Sequence, residues 1–230
     1  MKRAVNCGLV KADNMKQAIL LLSFGTPRQP SDLLPYLTSI RRGKIPTERE
    51  LKVLTARYDA IGQWDNKLLQ TMGEEQKRTL KSLLAIDAMY LAYLHMPNSM
   101  EQAIESIATA GYTSILCIVT SPFYSMIGTG AYERKLHSIL RAYPDISCEI
   151  IKSWWNRPQF FEYWRSQLMA ANPLQADTAC IFSAHSVPTS TVGSYEDEVM
   201  SASNQIAKMV GLNHWYQAWQ SAAPYGEWLG

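Results

Sequence analysis

Cysteine is scarce in this chain, and the four present (Cys7, Cys117, Cys148 and Cys180) form no CxxC pair. That spacing argues against a structural zinc site and against a disulfide framework. The last three fall within predicted strands, where a thiol behaves as a small hydrophobe. Long apolar runs are also missing. The stretch Ala18 to Leu22 is the longest near the start, far short of the roughly 18 residues that a membrane-spanning helix needs. Charge of one sign is lacking too: 22 Lys and Arg against 20 Asp and Glu leave a net charge of +2, too mild to make nucleic acid a default partner. Neither GxGxxG nor GxxxxGK[ST] occurs, and the Gly128-Thr129-Gly130 run lacks the third glycine of a dinucleotide loop, so a nucleotide site has no support. The opening MKRAVNCGLVKADN carries basic residues but neither an apolar core nor a small-residue cleavage site. Residues 1–16 therefore read as an N-terminal extension rather than a signal peptide, and the expected compartment is the cytoplasm.

What is present is the composition of a globular α/β protein: 47% hydrophobic and 18% charged residues over 230 positions. Short apolar runs alternate with longer amphipathic segments, the pattern of parallel strands joined by crossover helices. Strands are expected at Gln17 to Ser23, Ala88 to Leu94, Ser114 to Thr120, Ser147 to Lys152, Thr178 to Ser183 and Trp215 to Gln220. Thr47 with Glu50, and Ser99 with Gln102, have the spacing of capping boxes. Met100, Ile104, Ile107 and Ala108 share one helical face that Gly111 closes, and a further helix is expected from Tyr195 to Val210, closed by Gly211. The cluster Ser153-Trp154-Trp155-Asn156-Arg157-Pro158 marks a change of direction between two halves, residues 17–152 and 153–230.

Ligands of open α/β sheets bind beyond the carboxyl ends of the strands. There this chain offers Phe24-Gly25-Thr26-Pro27, His95, Ser121 to Tyr124, Trp154-Trp155 and His185-Ser186. An imidazole at His185 suits either proton transfer or a divalent metal, although a lone histidine beside small residues is more often a satisfied structural group. His95, His137 and His214 rank below it. Arg41-Arg42-Gly43-Lys44 reads equally as cations closing a helix and as guanidiniums for carboxylates, with Arg57 as a second such group. Tyr58 and Tyr132 offer phenolic donors, with packing as their plain alternative.

Read in order, SFGTP (23–27), SIRRGKIP (39–46), ARYDAIG (56–62), FSAHSVP (182–188), WQS (219–221) and WLG (228–230) resemble the ferrochelatase family, in its Gram-positive, coproporphyrin-using branch. The resemblance runs from about residue 17 to the end. It implies two Rossmann-like domains around a porphyrin cleft, the second, residues 153–230, shorter than the family's, and insertion of ferrous iron into coproporphyrin III or protoporphyrin IX during heme biosynthesis. The alternatives on the same fold are a non-catalytic porphyrin or heme carrier and another tetrapyrrole chelatase. By the same resemblance His185 is the catalytic and metal-facing residue, and Phe24, Arg41, Arg57, Tyr58, Asp65 and Tyr132 contact the substrate. Phe123, Tyr124 and Trp64 are further aromatic wall residues. No tightly bound cofactor is expected, and porphyrin and ferrous iron are the implied partners. Family members continue beyond this end and carry there a glutamate facing the histidine. The acids after His185 are Glu196, Asp197, Glu198 and Glu227, and none takes that place. A second half of this length implies sheet edges and helix faces left uncovered, and with them either lower stability than a complete relative or a protein partner that covers that surface.

Overall fold

The computed structural model describes residues 16–62, 64, 68–172, 178–223 and 226–230. Residues 1–15 of the expected extension, Cys7 among them, and the expected contact residue Asp65 lie outside the described residues.

Strand β1 (Gln17–Ser23) is the core of the larger sheet, whose order is β2 (Met89–Tyr93), β1, β3 (Ser114–Val119), β4 (Ser147–Ile151), all parallel. A strand flanked on both sides and covered on both faces should read as one continuous apolar run, and AILLL does. Its two faces feed different layers. Ala18, Leu20 and Leu22 join Met100, Ile104 and Ile107 of α4 (Ser99–Thr109) with Tyr132 and Leu136 of α5 (Thr129–Leu140). Ile19 and Leu21 pack instead with Met89 and with Leu80 of α3 (Leu68–Leu84).

The chain steps from β1 outward to β2, then back past β1 to β3, so the winding reverses between β1 and β3. Such a reversal is where open α/β sheets take ligands, beyond the carboxyl ends of the strands, and Phe24 to Pro27 and Ser121 to Tyr124 emerge there. Helices α1 (Leu33–Ile40) and α2 (Glu48–Ala60) lie in the connection after β1.

A second sheet holds β5 (Cys180–His185) and β6 (Trp215–Gln220), parallel and in register from Cys180 opposite Trp215 to His185 opposite Gln220. Helices α6 (Pro158–Ala170) and α7 (Tyr195–Val210) cover one of its faces, where Phe160, Ala202, Ile206 and Val210 pack with Phe182. The other face carries Ile181 and Tyr216, register neighbours that are 63% and 61% exposed. Phe123 ties the two sheets together: it stacks on Trp155 at 6.3 Å and meets Phe160 and Tyr195 edge-on. Trp154 Nε1 donates to the Val119 carbonyl at 2.9 Å across the same junction. Cys117 and Cys148 remain free thiols, their sulfurs 3.5 Å apart between β3 and β4.

Two local expectations need correction. Asn98, in the left-handed region at φ 54°, precedes α4 in place of Ser99, because the turn from β2 requires that conformation. The Ser99 hydroxyl instead accepts the Tyr93 N–H at 3.0 Å, so there is no Ser99–Gln102 capping box. Strand β5 is also shifted by two residues, from the expected Thr178–Ser183 to Cys180–His185, which places His185 in the ladder itself.

At the end of β1, Gly25 has φ +87° and its α-carbon faces the Tyr93 and Met96 side chains. A β-carbon there would come within 2.9 Å of both Tyr93 Cβ and Met96 Cγ, contacts that side chains do not tolerate without movement. Gly25→Ala is expected to destabilise the protein by about 2 kcal/mol, the sum of left-handed strain and overpacking. Denaturant unfolding reads this directly, and an unchanged midpoint would contradict the geometry.

Candidate functional site

Three groups of residues stand at or near the strand ends. In the first, Phe24 leaves β1 47% exposed and meets His95, at the end of β2, with ring centroids 4.4 Å apart; Tyr36 of α1 completes an edge-to-face trio. His95 Nδ1 shares a hydrogen bond of 2.9 Å with Ser39 Oγ. Burial, with help from the positive charge of Lys135, pushes the imidazole down to about 4 from its ordinary 6.5. His95 is thus a neutral ring beside an exposed aromatic face.

The second group is a cavity of about 280 Å³ between α1 and α2, lined by Leu37, Arg41, Arg49, Glu50, Val53, Leu54 and Arg57. The sequence places it through helix chemistry. Gly43, at φ +90°, closes α1 by donating to the Thr38 carbonyl and so leaves Arg41 at the helix end. Thr47 then opens α2 with a complete capping box, its N–H donating to Glu50 Oε2 at 2.7 Å and its hydroxyl accepting from the Glu50 N–H. Glu50 is also paired with Arg41. The Thr47 N–H, then Arg41, hold the Glu50 carboxyl down at about 2. Arg57 enters from the last turn of α2. Tyr58, beside it, meets Trp64 with centroids 5.4 Å apart. Burial, and secondarily Tyr58, raises the Tyr36 phenol well above its ordinary value.

The third group surrounds His185. Three segments far apart in sequence hold it: Ser186 N–H donates to the Gln220 carbonyl at 2.8 Å, the wholly buried Ser186 hydroxyl donates to the Leu229 carbonyl at 2.6 Å, and Leu229 N–H donates back to the Val187 carbonyl at 3.1 Å. Tyr195 Oη donates to the His185 carbonyl at 3.0 Å. The ring itself is exposed, and its Nδ1 lies 2.6 Å from the Ser186 carbonyl. A carbonyl only accepts, so Nδ1 is the donor of that bond, and in the neutral ring the lone pair then sits on Nε2. Glu198 does not approach this imidazole through any described hydrogen bond: one oxygen takes the Ser194 hydroxyl, and the other faces Tyr124 N–H and Ser153 Oγ. Among the described residues no three His, Cys, Asp or Glu side chains gather as a ready metal cage.

The structure therefore brings Arg41 and Arg57 to one cavity, with Tyr58 next to Arg57 in the chain, and sets Phe24 beside α1. His185 stands on the second sheet and does not line that cavity. Tyr132 is 4% exposed within the core of the larger sheet, with its phenol raised by burial. Phe123 is spent on the junction between the sheets. Sequence reasoning ranked His95 low and took Glu50 only as a cap. It passed over Arg49, whose one signal was a cation in the first turn of a helix, where cations are disfavoured.

Acid should expose these environments in turn. An unfolded histidine takes up its proton near 6.5, whereas folded His95 stays neutral to about 4, so stability falls as pH drops between those values. Glu50 adds a further loss from 4.5 down to about 2, where its folded carboxylate finally protonates. Denaturant midpoints measured at stepped pH should lose the upper segment in His95→Gln and keep the lower one. An identical profile in that variant would show that His95 is not buried as described.

Comparisons with known proteins agree with this layout. Residues 16–230 match the family model described as ferrochelatase. The chain is 30% identical over 230 residues to the coproporphyrin III ferrochelatase of Staphylococcus aureus, covering 94% of this chain and 74% of that one. It is 31% identical over 228 residues to the enzyme of the same name from Halalkalibacterium halodurans, covering 94% and 73%. Among solved structures it resembles SirB from Bacillus subtilis with Fe3+, with a TM-score of 0.56 at 11% identity over 92% of this chain and 68% of that one. At that identity the likeness establishes a shared α/β fold of parallel sheets flanked by helices. With a family match over nearly its whole length and the SAHS, WQS and WLG segments joined around one imidazole, the chain belongs to the ferrochelatase family.

Proposed function

We propose that this protein inserts ferrous iron into a porphyrin, with coproporphyrin III as the substrate and the cytoplasm as its place of work. The observation that carries the reading is the exposed ring of His185, with Nδ1 engaged by the Ser186 carbonyl, in a family whose named relatives are coproporphyrin III ferrochelatases. No described helix is long and apolar enough to cross a membrane.

Metal insertion releases two pyrrole N–H protons and exchanges water around the incoming ion for ring nitrogens. A neutral imidazole with one bare nitrogen can take these protons one at a time and return them to water, since the ring is exposed. The same lone pair can hold ferrous iron as it sheds water. Arg41 and Arg57 supply planar forks for carboxylate arms, and Phe24 offers an aromatic face for the macrocycle. Holding the arms while the ring is bent toward the base would spend remote binding energy on exposing the nitrogen lone pairs.

Coproporphyrin III titrated into the protein should shift its Soret band, and anaerobic ferrous iron should then convert it to the iron porphyrin. His185→Ala should slow conversion by at least about 100-fold, the usual scale for removing a general base, while leaving the porphyrin shift in place. A variant as fast as the parent would remove His185 from the reaction. Porphyrin binding with no conversion by the parent would identify a carrier instead.

A further inference from the structure

The cavity between α1 and α2 holds more charge than the helices need. Its apolar floor is Leu37, Val53 and Leu54, and its rim has three guanidiniums, Arg41, Arg49 and Arg57, against one carboxylate, Glu50. Arg49 stands in the first turn of α2, where the helix dipole opposes a cation. Among the described residues neither Arg49 nor Arg57 has a carboxylate within ion-pair reach, whereas Arg41 is paired with Glu50. Helix stability therefore accounts for Glu50 through its cap and leaves Arg49 without a structural reason. An apolar floor under two uncompensated cations suits the edge of an amphiphile that bears two neighbouring carboxylates. A volume of about 280 Å³ holds such arms and the ring edge between them, with the body of the ligand outside.

We infer that Arg49 joins Arg41 and Arg57 in receiving two adjacent carboxylate arms of the macrocycle, and that Glu50 is an intramolecular carboxylate occupying Arg41 until one of those arms displaces it. The inference rests on the porphyrin reading above and adds two residues to it: Arg49 as a substrate-binding cation, and Glu50 as a built-in competitor that weakens binding. The exchange at Arg41 swaps one carboxylate for another on the same fork, so no net charge is buried when the arm docks. After displacement Glu50 keeps its contacts to Thr47 and α2 keeps its cap.

Porphyrin binding is read by fluorescence quenching with coproporphyrin III as the probe, with no iron present. The parent must bind; failure there would remove the porphyrin reading, and this inference with it. Given binding, Arg49→Ala should weaken it by about tenfold, the scale of one charge-assisted hydrogen bond. Glu50→Gln, which retains an acceptor for the Thr47 N–H, should tighten binding severalfold. In an Arg41→Ala background the Glu50→Gln gain should vanish, since there is no longer a fork to release. Thermal melts of each variant confirm an intact fold. Parent-like affinity in Arg49→Ala, no tightening in Glu50→Gln, or the same tightening with and without Arg41 would each overturn the inference while leaving the porphyrin reading standing.

Discussion

The parallel pairing of β5 with β6 is the constraint on which the rest depends. It carries the chain to His185 opposite Gln220, and the next residue converts that position into a fixed one. Ser186 gives both its donors to neighbouring segments, its N–H to Gln220 and its hydroxyl to Leu229. A wholly buried hydroxyl needs such a partner, and here the partner is the short segment that bridges back at Pro188 and Trp228. With the backbone held on both sides and the Ser186 carbonyl occupying Nδ1, the imidazole has one nitrogen left for chemistry.

The first sheet solves a different problem. Its central strand is saturated with hydrocarbon, so polar function is displaced to the turns and helices that follow it. Gly25 lets the chain turn tightly against Tyr93 and Met96, which leaves Phe24 half in solvent, and α1 meets it and His95 through Tyr36 and Ser39. The guanidiniums then come from helix termini rather than strand ends: Arg41 where α1 stops, Arg49 where α2 begins and Arg57 where α2 ends. Long flexible cations at such places reach a ligand without being drawn into the core.

Much of this was legible in the sequence. The β1 and β6 runs are read to the residue because their apolar blocks are bounded by turn residues, and the Thr47–Glu50 box follows from spacing alone. The end of β5 was misjudged because Ala184 adds only a methyl group and His185 none to the apolar run, and α4 because Asn98 supplies a backbone conformation that no side-chain pattern reveals. His185 stood out by position, yet what orients it was illegible: bonds from Ser186 to Gln220 and Leu229 span more than thirty residues and depend on the sheet already being formed. The depressed imidazole of His95 and the pairing of Glu50 with Arg41 are likewise products of packing. Tyr132 shows the reverse case, a phenol that looked available in sequence and is enclosed by α5 and the sheet.

The most direct test of the central claim is the tautomer of His185. Long-range nitrogen–proton NMR on histidine-labelled protein at mildly alkaline pH, with the resonance assigned by its loss in His185→Gln, distinguishes the two ring nitrogens. The account predicts a protonated Nδ1 and a bare Nε2. A proton on Nε2 with Nδ1 bare would mean that the Ser186 carbonyl does not hold the ring, and the Nε2 lone pair on which the chemistry is built would not exist.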